Sequence, residues 1–305
     1  MESDPYILEN YNILKSLGKG GQGSVLLVTK KQKGEKKESK KIALKKILVV
    51  PKNDEKLEYA IEKALLEIRI LEKISKPFCN PYISCYYDHY VNYNDGIIYI
   101  EMEYIEGPTL DEYRKQLFNR LPLDLDYIAG QIYKIIKNIV LALQTIHKNG
   151  ILHLDVKPQN IIISEKDGAK LVDFGMSCFA IPADNSICTL PYNKIIGECC
   201  KDGGGTLLYV APERLLKNIR YPQSDIWSFG ATLYTVFEDR LIWPIKPTKM
   251  TEYYYYAASN LTPRQLDTGI QPLDDIINGM TRKKIEERLT IDEILKKLDN
   301  VPFVY

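Results

Sequence analysis

No stretch of this 305-residue chain approaches the roughly 20 consecutive apolar residues that a membrane-crossing helix needs. Its first residues lack the basic-then-apolar pattern of a secretory leader. Neither sign of charge is in excess: 41 Lys and Arg stand against 40 Asp and Glu, for a net charge of +1. Bulk charge therefore gives no reason to expect a nucleic-acid or membrane partner. Arginine is scarce, nine against 32 lysines, a bias from which no chemistry follows. The six cysteines, Cys79, Cys85, Cys178, Cys188, Cys199 and Cys200, contain no CxxC pair. A zinc site is disfavoured, and reduced thiols in a soluble, intracellular and cytoplasmic protein are the expectation. No internal repeat is visible, which argues against a repeat array.

What the chain does have is an ordinary globular composition, 45% hydrophobic and 27% charged, in a length that suits one large domain or two lobes. Two β-like runs, Ser24–Thr29 and Ile42–Val49, flank the charged stretch KQKGEKKESKK at 31–41, which reads as a solvated hairpin loop. Leu57, Ile61, Leu65, Ile68, Leu71 and Ile74 recur at helical spacing over 55–75. Tyr82–Val91 and Ile97–Tyr104 read as two more strands, and the pattern breaks at Glu106-Gly107-Pro108, a candidate linker. Beyond it the text turns helical. Ile128, Ile132, Ile135, Ile139, Leu143 and Ile146 form one stripe, stopped at Asn149-Gly150. Residues 176–205 have no period and read as a long loop, 224–239 as a buried helix, and Thr290–Leu298 as a capped terminal helix. Strands first and helices after make an α+β chain.

Four stretches carry chemistry. LGKGGQGSV at 17–25 places Gly18, Gly20 and Gly23 in GxGxxG spacing, and glycine lets backbone amides approach phosphate without a Cβ in the way. Val25-Leu26-Leu27-Val28 follows as a strand, so a hairpin over phosphates fits better than a helix-opening turn. Lys45, on the apolar run Ile42-Ala43-Leu44, is costly to bury unless paired; Glu67 is the first candidate partner, with Glu62 and Glu72 as alternatives. A surface lysine beside Lys46 is the other reading. His153-Leu154-Asp155-Val156-Lys157-Pro158-Gln159-Asn160 sets an acid, a lysine and a carboxamide at offsets zero, two and five in apolar surroundings. Asp173-Phe174-Gly175 puts an acid at a strand end, suited with Asn160 to a hard cation. Together these suit a site in which Asp155 receives a hydroxyl proton and Lys157 neutralises a moving phosphoryl group.

The ordered set GKGGQG, IALK, a helix glutamate, HLDVKPQN, DFG, Ala211-Pro212-Glu213 and SDIWSFG at 224–230 resembles the eukaryotic-type protein kinase family over about residues 8–303. The resemblance implies a bilobal fold, with a small β-rich lobe over about 8–106 and a larger helical lobe over about 107–303. It implies that ATP is held by Leu17, Gly18, Lys19, Gly20, Gly21, Gln22, Gly23, Ser24 and Val25, with Ala43 and Ile162 against the base. Lys45 would be paired with Glu67, Glu103 and Ile105 would offer hinge backbone groups, and Met102 would be the gatekeeper. Asp155, Lys157, Asn160 and Lys45 become the catalytic set, and Asn160 and Asp173 the ligands of Mg²⁺, with Mn²⁺ as an alternative. Leu71, His153 and Phe174 would stack in an internal spine anchored by Asp225. Arg288 would partner Glu213. Lys157 and Gly205-Thr206 resemble serine/threonine kinases, so protein Ser/Thr hydroxyls are the expected substrate and a monomer the default state. Leu154 departs from the family, in which members switched on by loop phosphorylation carry Arg there. Ser177, Ser186, Thr189, Tyr192 and Thr206 are the candidate phosphate acceptors, and Lys194 or Lys201 the basic residues that could substitute. A nucleotide-binding pseudokinase scaffold and a small-molecule phosphotransferase are the competing readings.

Overall fold

The computed structural model describes residues 4–20, 23–31, 40–51, 56–119, 124–180, 205–217, 220–240, 242–243, 252, 259 and 262–301. Gly21, Gln22, Cys188, Cys199, Cys200, Ser186, Thr189, Tyr192, Lys194 and Lys201 lie outside the described residues, as do most of the 31–41 loop and most of 176–205. The chain divides into two compact units. One is Met1–Asn80 with Ser84–Ile105; the other is Pro81–Ile83 with Glu106–Tyr305.

The first unit is built on a five-stranded antiparallel sheet of β1(Tyr11–Gly20), β2(Gly23–Lys30), β3(Lys41–Leu48), β4(Tyr86–Asn92) and β5(Ile97–Glu103), in the order β1-β2-β3-β5-β4. Strand alternation gives it two faces. Leu26, Val28, Ile42, Leu44 and Tyr99 bury one face together with Ile7 and Tyr11. Ile7 comes from α1(Pro5–Asn10), a helix the sequence pattern did not announce. Its cap explains it: Asp4 accepts from the amides of Tyr6 and Ile7, and proline suits the first helical position. Asp4 also accepts from the Tyr99 hydroxyl at 2.8 Å and pairs with Lys46, while the Tyr6 ring stacks on Tyr90 at 4.3 Å. The helical spacing over 55–75 becomes α2(Leu57–Ser75). Beyond it Cys79 and Cys85 form a disulfide, with Cα atoms 5.3 Å apart. This departs from the expectation of reduced thiols; no local pattern marks a pair brought together by the turn between α2 and β4.

The second unit is mostly helical: α3(Leu110–Phe118), α4(Leu125–Lys148), α5(Pro212–Lys217), α6(Pro222–Glu238), α7(Gln271–Met280) and α8(Ile291–Asp299). Short antiparallel pairs carry the loops, β6(Ile151–Leu152) with β9(Cys178–Phe179) and β7(Ile161–Ser164) with β8(Gly168–Leu171). The apolar stripe of α4 is buried from Ile128 to Ile146, and the helix stops at Asn149, followed by Gly150 at φ +68°. Helix α6 is buried nearly all round, including Trp227, Phe229 and Tyr234. Capping boxes at Thr109–Glu112 and Thr290–Glu293 start α3 and α8. Tyr82–Ile83, expected within a strand, instead meets β8: the Leu171 amide donates to the Tyr82 carbonyl at 2.9 Å. The architecture is α+β, a sheet-based unit and a mainly helical unit, as the resemblance implies. Among the described residues, no helix is long and apolar enough to cross a membrane.

Candidate active site

In the first unit the glycine stretch forms the turn end of the β1–β2 hairpin, with Gly18 opposite Val25, Lys19 opposite Ser24 and Gly20 opposite Gly23. Leu17 lies on β1 just before it and is exposed. Gly23 has φ +137°, and a Cβ there would overlap the Lys46 carbonyl, so a close β2–β3 approach requires glycine. Lys45 lies opposite Val25 on β2 and Ile100 on β5, and Ala43 lies opposite Met102. The ammonium of Lys45 meets Glu67 at 2.7 Å, both residues being more than nine-tenths buried. This selects Glu67 over the alternatives: Glu62 pairs with Arg69 at 2.7 Å and Glu72 with Lys76 at 3.3 Å, both towards solvent. Removing one partner of a buried pair strands a charge, at about 3–5 kcal/mol. Glu103 exchanges hydrogen bonds with Cys85: its amide donates to the Cys85 carbonyl at 2.7 Å, and its carboxylate accepts from the Cys85 amide at 3.1 Å. Ile105, at the end of this unit, is buried.

In the second unit the HLDVKPQN stretch is a polar knot. Asp155, only 6% exposed, accepts four hydrogen bonds through its carboxylate. Lys157 Nζ meets Oδ2 at 2.6 Å and Asn160 Nδ2 meets it at 3.1 Å. The Thr206 amide and hydroxyl reach Oδ1 at 2.9 and 3.0 Å. Lys157 also donates to Thr206 Oγ1 at 2.9 Å, so Asp155, Lys157 and Thr206 close a triangle. Asn160 Nδ2 donates in addition to the Asp155 carbonyl at 2.9 Å, and the Val172 amide donates to the Asn160 carbonyl at 2.9 Å, which ties the residue just before Asp173 to Asn160. Asp173 has a left-handed backbone, φ +63°, uncommon for a residue other than glycine.

His153 links these pieces. Its Nδ1 accepts from the Asp155 amide at 3.3 Å and its Nε2 lies 3.2 Å from the Val172 carbonyl, a pattern that a neutral ring with the proton on Nε2 satisfies. Burial holds the imidazole below its ordinary pKa, in keeping with that form. Phe174 sits edge-on to the ring at 4.9 Å. Beneath the loop, Asp225 accepts from the His153 and Leu154 amides at 2.9 and 2.8 Å and from His147 Nε2 at 2.9 Å. Burial pushes its carboxyl up, but the His147 hydrogen bond and the backbone donor outweigh burial and hold it below the usual range. Glu213 behaves alike: burial raises it, while Arg288 at 2.9 Å and Ser224 at 2.7 Å bring it below the usual range.

A pH dependence follows. As pH falls the unfolded chain takes up protons first at both carboxyls. Their contribution to stability is full above about pH 5, clear of the ordinary carboxylate pKa, and is lost as pH falls through the lower folded values. Asp225→Asn is expected to lower stability at pH 7 by about 1–3 kcal/mol, because its NH₂ must face either the Leu154 amide or the His153–His147 pair and leave those buried donors without an acceptor, and to flatten this acid limb. Urea unfolding at pH 7 and pH 4 checks it; a variant with the parent's stability and the parent's acid limb would contradict it.

Two features escaped the sequence reading: the left-handed backbone of Leu154, φ +66°, and the contact of Arg214 Nη1 with its carbonyl at 2.8 Å. Ser177, read as a candidate phosphate acceptor, is buried, with its hydroxyl donating to the His153 carbonyl at 3.2 Å.

Comparison with known proteins agrees with this geometry. The protein kinase domain family matches residues 11–298. The chain is 27% identical over 292 residues to serine/threonine-protein kinase grp of Drosophila melanogaster, covering 94% of this chain and 50% of that protein. It is 30% identical over 250 residues to the MAP kinase kinase MKK1/SSP32 of Saccharomyces cerevisiae, covering 82% and 41%. It is 27% identical over 300 residues to serine/threonine-protein kinase Nek2 of Mus musculus, covering 96% and 60%. The chain thus spans between about two fifths and three fifths of the length of these relatives. By the family match across nearly its whole length, the chain belongs to the eukaryotic-type protein kinases.

Proposed function

We propose that the chain is a catalytically active, ATP-dependent kinase that phosphorylates serine and threonine hydroxyls of protein substrates. The observation that carries this is the triangle of Asp155, Lys157 and Thr206, in which a residue 51 positions further along is held against the candidate catalytic acid. In this reading Asp155 orients the substrate hydroxyl and receives its proton as the oxygen bonds to the γ-phosphorus of ATP and the bond to the β–γ bridging oxygen breaks. Lys157 places positive charge where the phosphoryl group moves. Gly18 to Val25, Ala43, Lys45, Glu67, Glu103 and Ile105 hold the nucleotide.

The donor set fits a hard divalent cation. Asn160 turns its Nδ2 to Asp155, which leaves Oδ1 for a metal, and Asp173 adds one carboxylate. With Asn160 and Asp173 as the two protein ligands, nucleotide oxygens would complete the shell. That suits Mg²⁺, and Mn²⁺ as a substitute. When bound, the ion neutralises phosphate charge. Incubation with labelled ATP, Mg²⁺ and a degenerate peptide array tests the reading: label on Ser or Thr is expected, and no transfer to any peptide would point to a nucleotide-binding scaffold.

Leu154 bears on control. Its side chain lies in a buried apolar cluster with Leu152, Cys178 and Ala180, offering neither donor nor charge to a phosphate. The basal rate is therefore expected not to depend on loop phosphorylation. Initial rates before and after phosphatase treatment check this; a large loss traced to a site between Ser177 and Thr189 would contradict it.

A further inference from the structure

Leu154 precedes the candidate catalytic acid, and its backbone is held on every side. The amide donates to Asp225, the side chain is buried, and the carbonyl accepts from the guanidinium of Arg214 at 2.8 Å. A left-handed backbone is unfavourable for leucine and persists only where its surroundings impose it. Arg214 follows Glu213 at the start of α5 and is 8% exposed. Burial holds the guanidinium below its ordinary pKa, only partly countered by nearby Asp225, Glu213 and Asp155.

The same guanidinium reaches the residue that precedes Thr206. Gly205 has φ +107°, and a Cβ built there would stand 2.8 Å from the Leu154 carbonyl oxygen and 3.2 Å from Arg214 Nη2. Gly205 therefore lies directly over the Leu154–Arg214 contact, and only glycine allows so close an approach. Thr206, next in the chain, donates twice to Asp155. One side chain thus bonds the residue just before Asp155 and lies beside the residue just before Thr206.

We infer that Arg214 is a positioning residue for phosphoryl transfer, holding the Leu154 peptide and the Gly205 turn in the register that lets Thr206 and Lys157 engage Asp155. The inference rests on the kinase reading above. Arg214 touches no reacting atom; it acts through the placement of Asp155 and Thr206. The planar fork matters, because one edge serves the Leu154 carbonyl while the other flanks Gly205. A lysine keeps the charge and one donor but not the fork. A methionine keeps the approximate bulk and leaves the Leu154 carbonyl without its partner.

The test compares the parent with Arg214→Met and Arg214→Lys in peptide phosphorylation, with KM for ATP and thermal unfolding measured on the same preparations. Misplacement of a reacting group by about 1 Å costs on the order of 10²-fold, and a kcat loss of that size is expected for Arg214→Met with a KM for ATP within about twofold of the parent. Arg214→Lys should fall between the two. A merely structural arginine would lower the unfolding temperature and leave kcat of the folded fraction intact, and that result overturns the inference. So does a loss of kcat matched by an equal rise in KM for ATP. If Arg214→Met does not fold, Arg214→Lys decides: parental kcat in that variant overturns the inference, and a selective loss of kcat supports it. An inactive parent would instead refute the kinase reading, which keeps the two failures apart.

Discussion

Asp155→Asn is expected to lower kcat for peptide phosphorylation by about 10²–10⁴-fold while leaving ATP affinity close to that of the parent. The carboxylate has two oxygens, and both are in use. Lys157 and Asn160 donate to one, the Thr206 amide and hydroxyl to the other. An asparagine has a single acceptor oxygen, so its NH₂ must face one of these donor sets and break it. The basic site for the substrate proton disappears at the same time. Nucleotide affinity rests on other groups, the glycine hairpin and the Lys45–Glu67 pair among them. Steady-state kinetics with ATP and peptide varied independently will separate the two effects. Near-parental turnover would mean that Asp155 has been assigned the wrong role.

The second large effect concerns the metal. Asp173→Ala removes the one carboxylate of the proposed donor set, and several kcal/mol of charge stabilisation correspond to on the order of 10²–10³-fold in rate. Added Mg²⁺ is not expected to restore it. Asn160→Ala removes a neutral oxygen, so part of its loss should return as Mg²⁺ is raised. Activity measured across a Mg²⁺ titration distinguishes the two variants, and equal tolerance of both substitutions would contradict the roles given to them.

Much of this was legible in the sequence because the signals are local. Helical spacing between Ile128 and Ile146 predicted α4, and the strand after Gly23 favoured a hairpin over a helix-opening glycine turn, as the β1–β2 pairing shows. Lys45 on an apolar strand demanded a partner, although only the fold distinguished Glu67 from Glu62 and Glu72. Helix α3 could have been found from the capping box at Thr109 and Glu112. The remainder depends on contacts distant in the chain. Helix α1 is six residues long, too short to be stable by propensity, and is held by Asp4 reaching Lys46 and Tyr99. The Cys79–Cys85 pairing and the Pro81–Ile83 excursion to β8 leave no periodic trace. Leucine gives no hint of a left-handed backbone at 154, because that conformation is imposed by Asp225 and Arg214, about 70 and 60 residues further on.

The most direct test of the central claim is a single-turnover reaction. The protein is saturated with γ-labelled ATP and Mg²⁺, mixed with a peptide selected from the array, and the labelled amino acid is identified after hydrolysis. Active phosphoryl transfer predicts phosphoserine or phosphothreonine formed by the parent and nearly absent with Asp155→Asn at equal nucleotide occupancy. Nucleotide bound by the parent with no label transferred, or label appearing equally with both proteins, would contradict the account.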